Sequence, residues 1–476
     1  MISTQTRPGF AHALRVFRQA AHTVPAYAKF LCDNGIDAAA VRTPADFAEV
    51  PPVTKDNYIR AYPPHELITG GVITGAGTWS SSSGSSGAPT FWARDELSHE
   101  HSVDLHARIL RGLLAATTPT LVVVGFSMGD WIGGTYTFRS VADLHRRDMR
   151  VSVATPGMDI DLIRADIAAL GPYYGQIVLV GYPPFVRDVL DRAPAAVLDQ
   201  DIKVLMAGEA ISEPWRDNLL SLLGKPDRPE DTCLIYGAAD AGMFGHETAN
   251  SITIRRLAQH DSTFRDTLFG ADPVLPTFVE YDPAYRYVET DDRGRLLFTV
   301  ANAMPLVRYR INDVGSVHTA AEVGEALRAA GHHTQVRTTT PTAGFIAVRG
   351  RSDVAVSFYS VKFPPETVRA ALTDPRLGGE LTGKFVLDKD LDPSGADRLR
   401  LLVELRPGRT PDEAVAEGVA EGVGAVFVDT VTEASREYRD LRTRIGTRAE
   451  PLVEIRPFGS PEFRYAIKHD GRISGA

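Results

Sequence analysis

Ser82-Ser83-Gly84-Ser85-Ser86-Gly87-Ala88-Pro89-Thr90, running straight into Phe91-Trp92, is the stretch on which the reading of this chain turns. By composition alone it is a short Gly/Ser linker, flexible and without a preferred structure. Its brevity, its Pro-Thr ending and the bulky aromatics that follow favour a phosphate cradle. Glycines let backbone approach a polyanion closely, and hydroxyl and N–H groups donate hydrogen bonds without carrying a fixed charge. The Lys-Ser or Lys-Thr ending of a Walker loop is missing, so the cradle is of another kind.

Working outward, the downstream pattern alternates. Strands are expected over 121–124, 176–180, 203–207 and 232–235, with helices over 159–170, 184–191 and 214–223 between them. Such alternation indicates βαβ units and a largely parallel sheet covered on both faces. Upstream, residues 8–33 carry apolar side chains at helical spacing, broken at Pro25. From about Thr277 the pattern changes to strands joined by Gly and Asp turns (278–281, 294–299), and 319–342 reads as a helix plus an irregular excursion. After Arg349-Gly350-Arg351 a compact unit begins, with helices expected over 365–372 and 411–423 and strands over 384–387, 401–405 and 452–456. The expected architecture is therefore α/β: a large N-terminal domain of βαβ type over 1–349, and a small α+β C-terminal domain over 350–476.

At 476 residues the chain is too long for one ordinary core, which fits two domains. A net charge of −9 gives no basic footprint for nucleic acid or for an anionic membrane surface. The two cysteines, Cys32 and Cys233, have no metal-like spacing and fit a reducing cytoplasm. The N-terminus has no signal-peptide core, and the apolar run at 121–125 is far short of the ~20 residues of a membrane span.

Further segments stand at the expected strand ends and boundaries. They are Gly208-Glu209-Ala210 after one strand, Tyr236-Gly237-Ala238-Ala239-Asp240 after the next, Arg308-Tyr309-Arg310-Ile311-Asn312-Asp313-Val314-Gly315, and Gly350-Arg351-Ser352-Asp353. Together with the Ser82–Gly87 loop and in this order, they resemble the acyl-adenylate-forming superfamily of acyl-CoA synthetases, luciferases and peptide-synthetase adenylation domains. The branch most similar is that of the phenylacetate–CoA ligases, on the strength of Val53-Thr54-Lys55-Asp56, of Phe126 to Thr135 and of the tail Phe458 to Lys468. The resemblance implies roles. Ser82, Ser83, Gly84, Ser85, Ser86 and Gly87 would hold the phosphates of ATP, although the family's lysine position is Ala88 here. Gly208, Glu209 and Ala210 would contact adenine, with the Tyr236 ring stacked on it beside Gly237. Asp240 would hold Mg²⁺, with Glu247 as the substitute ligand, and Asp313 would accept from both ribose hydroxyls. Trp131, Gly133 and Tyr136 would border the acyl pocket, and they, with Phe138, suggest an aromatic acid.

The chemistry so implied is the attack of an ionised carboxylate on the α-phosphate of ATP. No general base is needed, but an anion must approach a polyanion, so cations and oriented donors are required. The family's catalytic lysine matches Lys468, with Ile467 where a Gly is usual, and Arg351 and the hinge Asp353 would govern rotation of the small domain. Ser360 stands where a Gly normally leaves room for the pantetheine arm of CoA. The second acceptor is therefore CoA, an amine, a carrier-protein thiol or nitrite. A homodimer is allowed. A catalytically inactive nucleotide- or acyl-binding protein of the same fold is the alternative, resting on Ala88, Asp240 and Ile467.

Overall fold

The computed structural model describes residues 9–82, 90–115, 117–130, 132–191, 193–272, 274–351, 356–358, 361–391, 397–412, 418–463 and 471–473. Apolar runs set the centre of the large unit. Strands β1 (Thr78–Ser82) and β2 (Thr90–Arg94) form an antiparallel hairpin around the Gly/Ser stretch. Strands β3 (Thr120–Val124), β4 (Val151–Ala154), β5 (Gln176–Gly181), β6 (Ile202–Ala207) and β7 (Thr232–Ala238) then pair in parallel, in the spatial order 4-3-5-6-7. Leu121–Val124, Ile177–Val180 and Val204–Met206 are buried almost completely. That is the expected state of a parallel sheet packed on both faces by its crossover helices, Ile160–Leu170, Pro183–Asp191 and Glu213–Leu222 among them.

At β7 the sheet changes character. Strands β8 (Gly242–His246), β9 (Thr277–Tyr281), β10 (Arg286–Thr290), β11 (Arg295–Val300), β12 (Leu306–Thr319) and β13 (Gly344–Arg351) continue it antiparallel, in the order 7-8-9-13-12-11-10. The whole is one eleven-stranded sheet among the described residues. The N-terminal helices Phe10–Thr23, Pro25–Asp33 and Pro44–Ala48 pack on this second half through Phe17, Tyr27 and Phe47, in one core with Tyr287, Phe298 and Tyr309. Pro25 occupies the first turn of the second helix, where its missing N–H costs nothing.

A separate apolar core begins at Phe358. It unites Phe363, Phe385, Leu401, Val403, Phe427 and Tyr438. Here the short β14 (Val356–Phe358) and β15 (Val361–Phe363) pair with each other. Strands β16 (Leu381–Leu391), β17 (Asp397–Leu405), β18 (Leu452–Arg456) and β19 (Gly471–Ile473) form a sheet in the order 18-17-16-19. Of the helix expected over 411–423, Pro411 and Asp412 are helical, 413–417 lie outside the described residues, and a helix runs over Val419–Ala434 with Val423, Val426, Phe427, Val428 and Val431 buried. No helix among the described residues is long and apolar enough to cross a membrane.

Candidate active site

The parallel strands end on one side of the sheet, which is where open α/β folds bind ligands. At that edge a cleft of ≈ 1630 Å³ opens between the large unit and the helix Pro365–Leu372 of the small one. Its lining gathers the turns that follow β6 and β7, the β12 segment around Asp313, and Arg349-Gly350 at the end of β13.

Immediately after β6 comes Gly208, with φ +94°. A Cβ there would fall 2.9 Å from the Tyr182 ring, so only glycine fits both the backbone conformation and the space. Glu209 follows, buried, and its Oε2 accepts from Arg369 Nη2 at 3.1 Å. Burial, with Glu209 adding to it, pushes the Tyr182 phenol up to about 12, so it remains a neutral wall.

The turn after β7 is pinned from two sides. Tyr236 Oη donates to Asp313 Oδ2 at 2.5 Å, joining the end of β7 to β12. Asp240 Oδ2 accepts from Tyr309 Oη at 2.6 Å, and its Oδ1 lies 3.3 Å from Lys55 Nζ. Lys55 also sits 5.7 Å over the Trp92 ring. Gly237 permits the tight β7–β8 hairpin, since a Cβ would meet the Gly242 carbonyl at 2.6 Å. Behind the turn, Arg94 at the end of β2 donates to the Ala239 carbonyl and lies over the Tyr136 ring at 5.3 Å. Burial lowers the pKa of its guanidinium. On β12, Asp313 is register partner of Arg351, next to a bulge at Val314-Gly315.

No family model and no curated protein matches the sequence. Among solved structures, the chain is similar to 2-hydroxyisobutyryl-CoA ligase in its postadenylation state in complex with R3-HIB-AMP. The two share 16% identity over 98% of this chain and 89% of that one, with a TM-score of 0.62. It is also similar to the acyl acid amido synthetase AtGH3.15 in complex with 2,4-DB, at 12% identity over 98% of this chain and 91% of that one, with a TM-score of 0.59. The chain has the fold of the acyl-adenylate-forming ligases. The expected α/β architecture is thereby met.

Within this fold, Gly208, Glu209, Ala210, Tyr236, Gly237, Asp240, Asp313, Gly133 and Tyr136 all line one cleft. Ser82 ends β1, and the backbone of Arg351 ends β13. Glu247 is elsewhere. Its side chain is fully buried, with Oε1 accepting from Arg216 Nη2 at 2.6 Å and Oε2 from the Leu234 N–H at 3.0 Å. Both oxygens are consumed by internal partners, so Glu247 is a structural counter-ion and not a second ligand facing the cleft. Phe138, named for the acyl pocket, is 40% exposed and does not line the cleft. Ser83 to Gly87, Trp131, Asp353, Ser360 and Lys468 lie outside the described residues.

Lys55, Tyr309 and Arg369 are among the cleft residues that sequence reasoning assigned no role. The first two lie inside segments already singled out, Val53-Thr54-Lys55-Asp56 and the run up to Asp313, so a signal existed. Arg369 gave none: it sits on an ordinary amphipathic helix, 160 residues from its partner Glu209.

Proposed function

We propose that this chain is an acid ligase of phenylacetate–CoA ligase type, which adenylates a carboxylic acid with ATP and then passes the acyl group to a second acceptor. The observation that carries this is the pair of hydroxyl–carboxylate contacts, Tyr236 to Asp313 and Tyr309 to Asp240, which hold two separated motifs against each other at one cleft. In this reading the backbone of Gly208 to Ala210 receives adenine, with Tyr236 against its face, and Asp313 accepts from the ribose hydroxyls.

A carboxylate oxygen of the acid attacks the α-phosphorus, the bond from that phosphorus to the bridging oxygen of the β-phosphate breaks, and pyrophosphate leaves. Positive charge at the phosphates is the main requirement. Asp240 fits a Mg²⁺ ion, since it is an oxygen ligand in the cleft whose Oδ1 already faces a cation, the Lys55 ammonium, at 3.3 Å. When bound, Mg²⁺ would neutralise phosphate charge. Ser82 to Gly87 supply phosphate donors, and Lys468 supplies the cation that the family brings from its small domain. Residues 1–349 form the adenylation domain and 350–476 a lid that turns about Asp353, with Arg351 beside it. In the second step the acceptor attacks the acyl carbonyl carbon and AMP leaves. CoA, an amine, a carrier thiol and nitrite remain the acceptor candidates. The acid is aromatic in this reading, because Phe126, Tyr136 and Tyr182 line the cleft.

ATP–pyrophosphate exchange across a panel of aryl and alkyl acids tests the first step. Exchange with an aryl acid is expected, and no exchange with any acid overturns the ligase reading. Products formed with CoA, amines and nitrite then identify the acceptor.

A further inference from the structure

Helix Glu96–Leu113 places Ser98, Ser102 and His106 at four-residue intervals, on one face. Tyr136 Oη donates to the Ser98 carbonyl at 3.0 Å, which seats the Tyr136 ring against this face. His106 is fully buried, yet it lines the cleft with Phe126, Gly133, Tyr136 and Thr137, its ring 6.5 Å from that of Tyr136.

The protonation of His106 follows from its partners. Its Nδ1 lies 2.8 Å from the Ser102 carbonyl oxygen, which can only accept, so Nδ1 carries the proton. Ser102 Oγ lies 2.6 Å from Ser140 Oγ and 3.3 Å from Nδ1, so the shorter contact of Nδ1 is the one to the carbonyl. Burial pushes the imidazole down to about 4, so the ring is neutral and Nε2 is a bare lone pair. That Nε2 is buried and has no hydrogen-bond partner among the described residues. A buried acceptor left without a donor is costly, and a substrate that supplies the donor is favoured over one that does not.

The ionised carboxylate of the acid and the phosphates of ATP offer acceptors only. In the proposed reaction the hydroxyls of ribose and the amino group of adenine are met at Asp313 and at Gly208 to Ala210. In the adenylation step, before the second acceptor enters, the donor therefore belongs to the rest of the acyl group. We propose that His106 Nε2 selects a carboxylic acid carrying a hydroxyl or amino substituent, apart from its carboxylate, which donates a hydrogen bond to this nitrogen. The inference rests on the ligase reading and deepens it: the substrate class becomes hydroxy- or amino-substituted acids, aryl ones first.

The experiment is ATP–pyrophosphate exchange with matched sets of benzoates and phenylacetates bearing hydroxyl, amino, methyl or no substituent at each ring position. It is run on the wild-type chain, on His106→Leu and on His106→Gln. For the wild type, a hydroxy or amino acid should exceed its methyl counterpart in kcat/KM by roughly 100-fold or more. His106→Leu should reduce that ratio to below about 10-fold with the KM for ATP unchanged, and His106→Gln, which restores an acceptor, should recover part of it. Equal use of methyl and hydroxy acids by the wild type overturns the proposal, as does a His106→Leu variant that slows both by the same factor. If the leucine variant does not fold, the wild-type ratio and the glutamine variant decide. Absence of exchange with every acid overturns the ligase reading and this inference with it, an outcome distinct from exchange without preference.

Discussion

Arg369 Nη2 donates to Glu209 Oε2 at 3.1 Å, so a guanidinium of the small unit holds the carboxylate of the turn that follows β6. Both side chains are buried, and Ser212 and Thr373 bring their hydroxyl oxygens to 3.4 Å beside them. Lys384, at 2.7 and 2.8 Å from the two oxygens of Asp188, forms a second tie between the units. Coupling between Arg369 and Glu209 should therefore be measurable. Arg369→Met and Glu209→Gln are each expected to slow pyrophosphate exchange, and the double variant to be less impaired than the sum. A double-mutant cycle should give a coupling of about 1–3 kcal/mol, and strictly additive effects would show the contact to be incidental.

Tyr309→Phe tests the Asp240 assignment with the smallest change available. It removes the hydroxyl that donates to Oδ2 and leaves the carboxylate in place. A hydrogen bond to a charged group contributes about 1.5–3 kcal/mol. The variant should need a higher Mg²⁺ concentration for half-maximal exchange, and Asp240→Asn a much higher one. An unaltered Mg²⁺ requirement in Asp240→Asn would move the metal elsewhere.

Glu247→Gln should behave in the opposite way. Arg216 is 0% exposed and is held by Glu213 at 3.0 Å and Glu247 at 2.6 Å. Removing one carboxylate leaves a buried cation under-compensated, which costs on the order of 3–5 kcal/mol. Denaturant unfolding should show that loss, while the folded variant keeps the Mg²⁺ dependence of the wild type. A stable variant with altered Mg²⁺ dependence would restore Glu247 as a ligand.

Stability should fall between pH 7 and pH 5. Burial pushes His12, His101 and His106 down from 6.5 to about 4, so each is neutral when folded while its unfolded counterpart takes up a proton below 6.5. The unfolded state then binds more protons, and acidification from 6.5 towards 4 favours unfolding. Glu213, held at about 2 mainly by Arg216 and Arg255 against its burial, keeps its charge throughout this window and does not offset the loss. By pH 5 the three together should cost a few kcal/mol. A thermal midpoint unchanged from pH 7 to pH 5 would contradict this.

Local chemistry made much of the fold legible. The strands at Leu121, Ile177 and Val204 declared themselves because a doubly covered parallel sheet needs continuous β-branched and leucine runs. Helix Glu96–Leu113 did not, because its buried face includes Ser98, Ser102 and His106, polar residues that blur the apolar periodicity. In the cleft, Gly208, Tyr236, Asp240 and Asp313 were singled out by the resemblance of their segments to family motifs, each standing at a strand end or in a strand-edge segment. Their partners were not: Tyr309 is 69 residues from Asp240 and Tyr236 is 77 from Asp313, separations that no local pattern spans.

The sequence by itself determined the strand–turn order and the glycines its turns require. Tertiary structure decided which carboxylates face the cleft. Asp240 lies in the β7–β8 turn and Glu247 directly after β8, and the sequence left Glu247 open as a substitute for Asp240 as a metal ligand. Only folding turns Asp240 to the cleft, against Tyr309 and Lys55, and buries Glu247 against Arg216 and the Leu234 N–H. The reason is physical: hairpin register and the cost of an unpaired buried arginine fix where each side chain points, and both depend on residues far away along the chain.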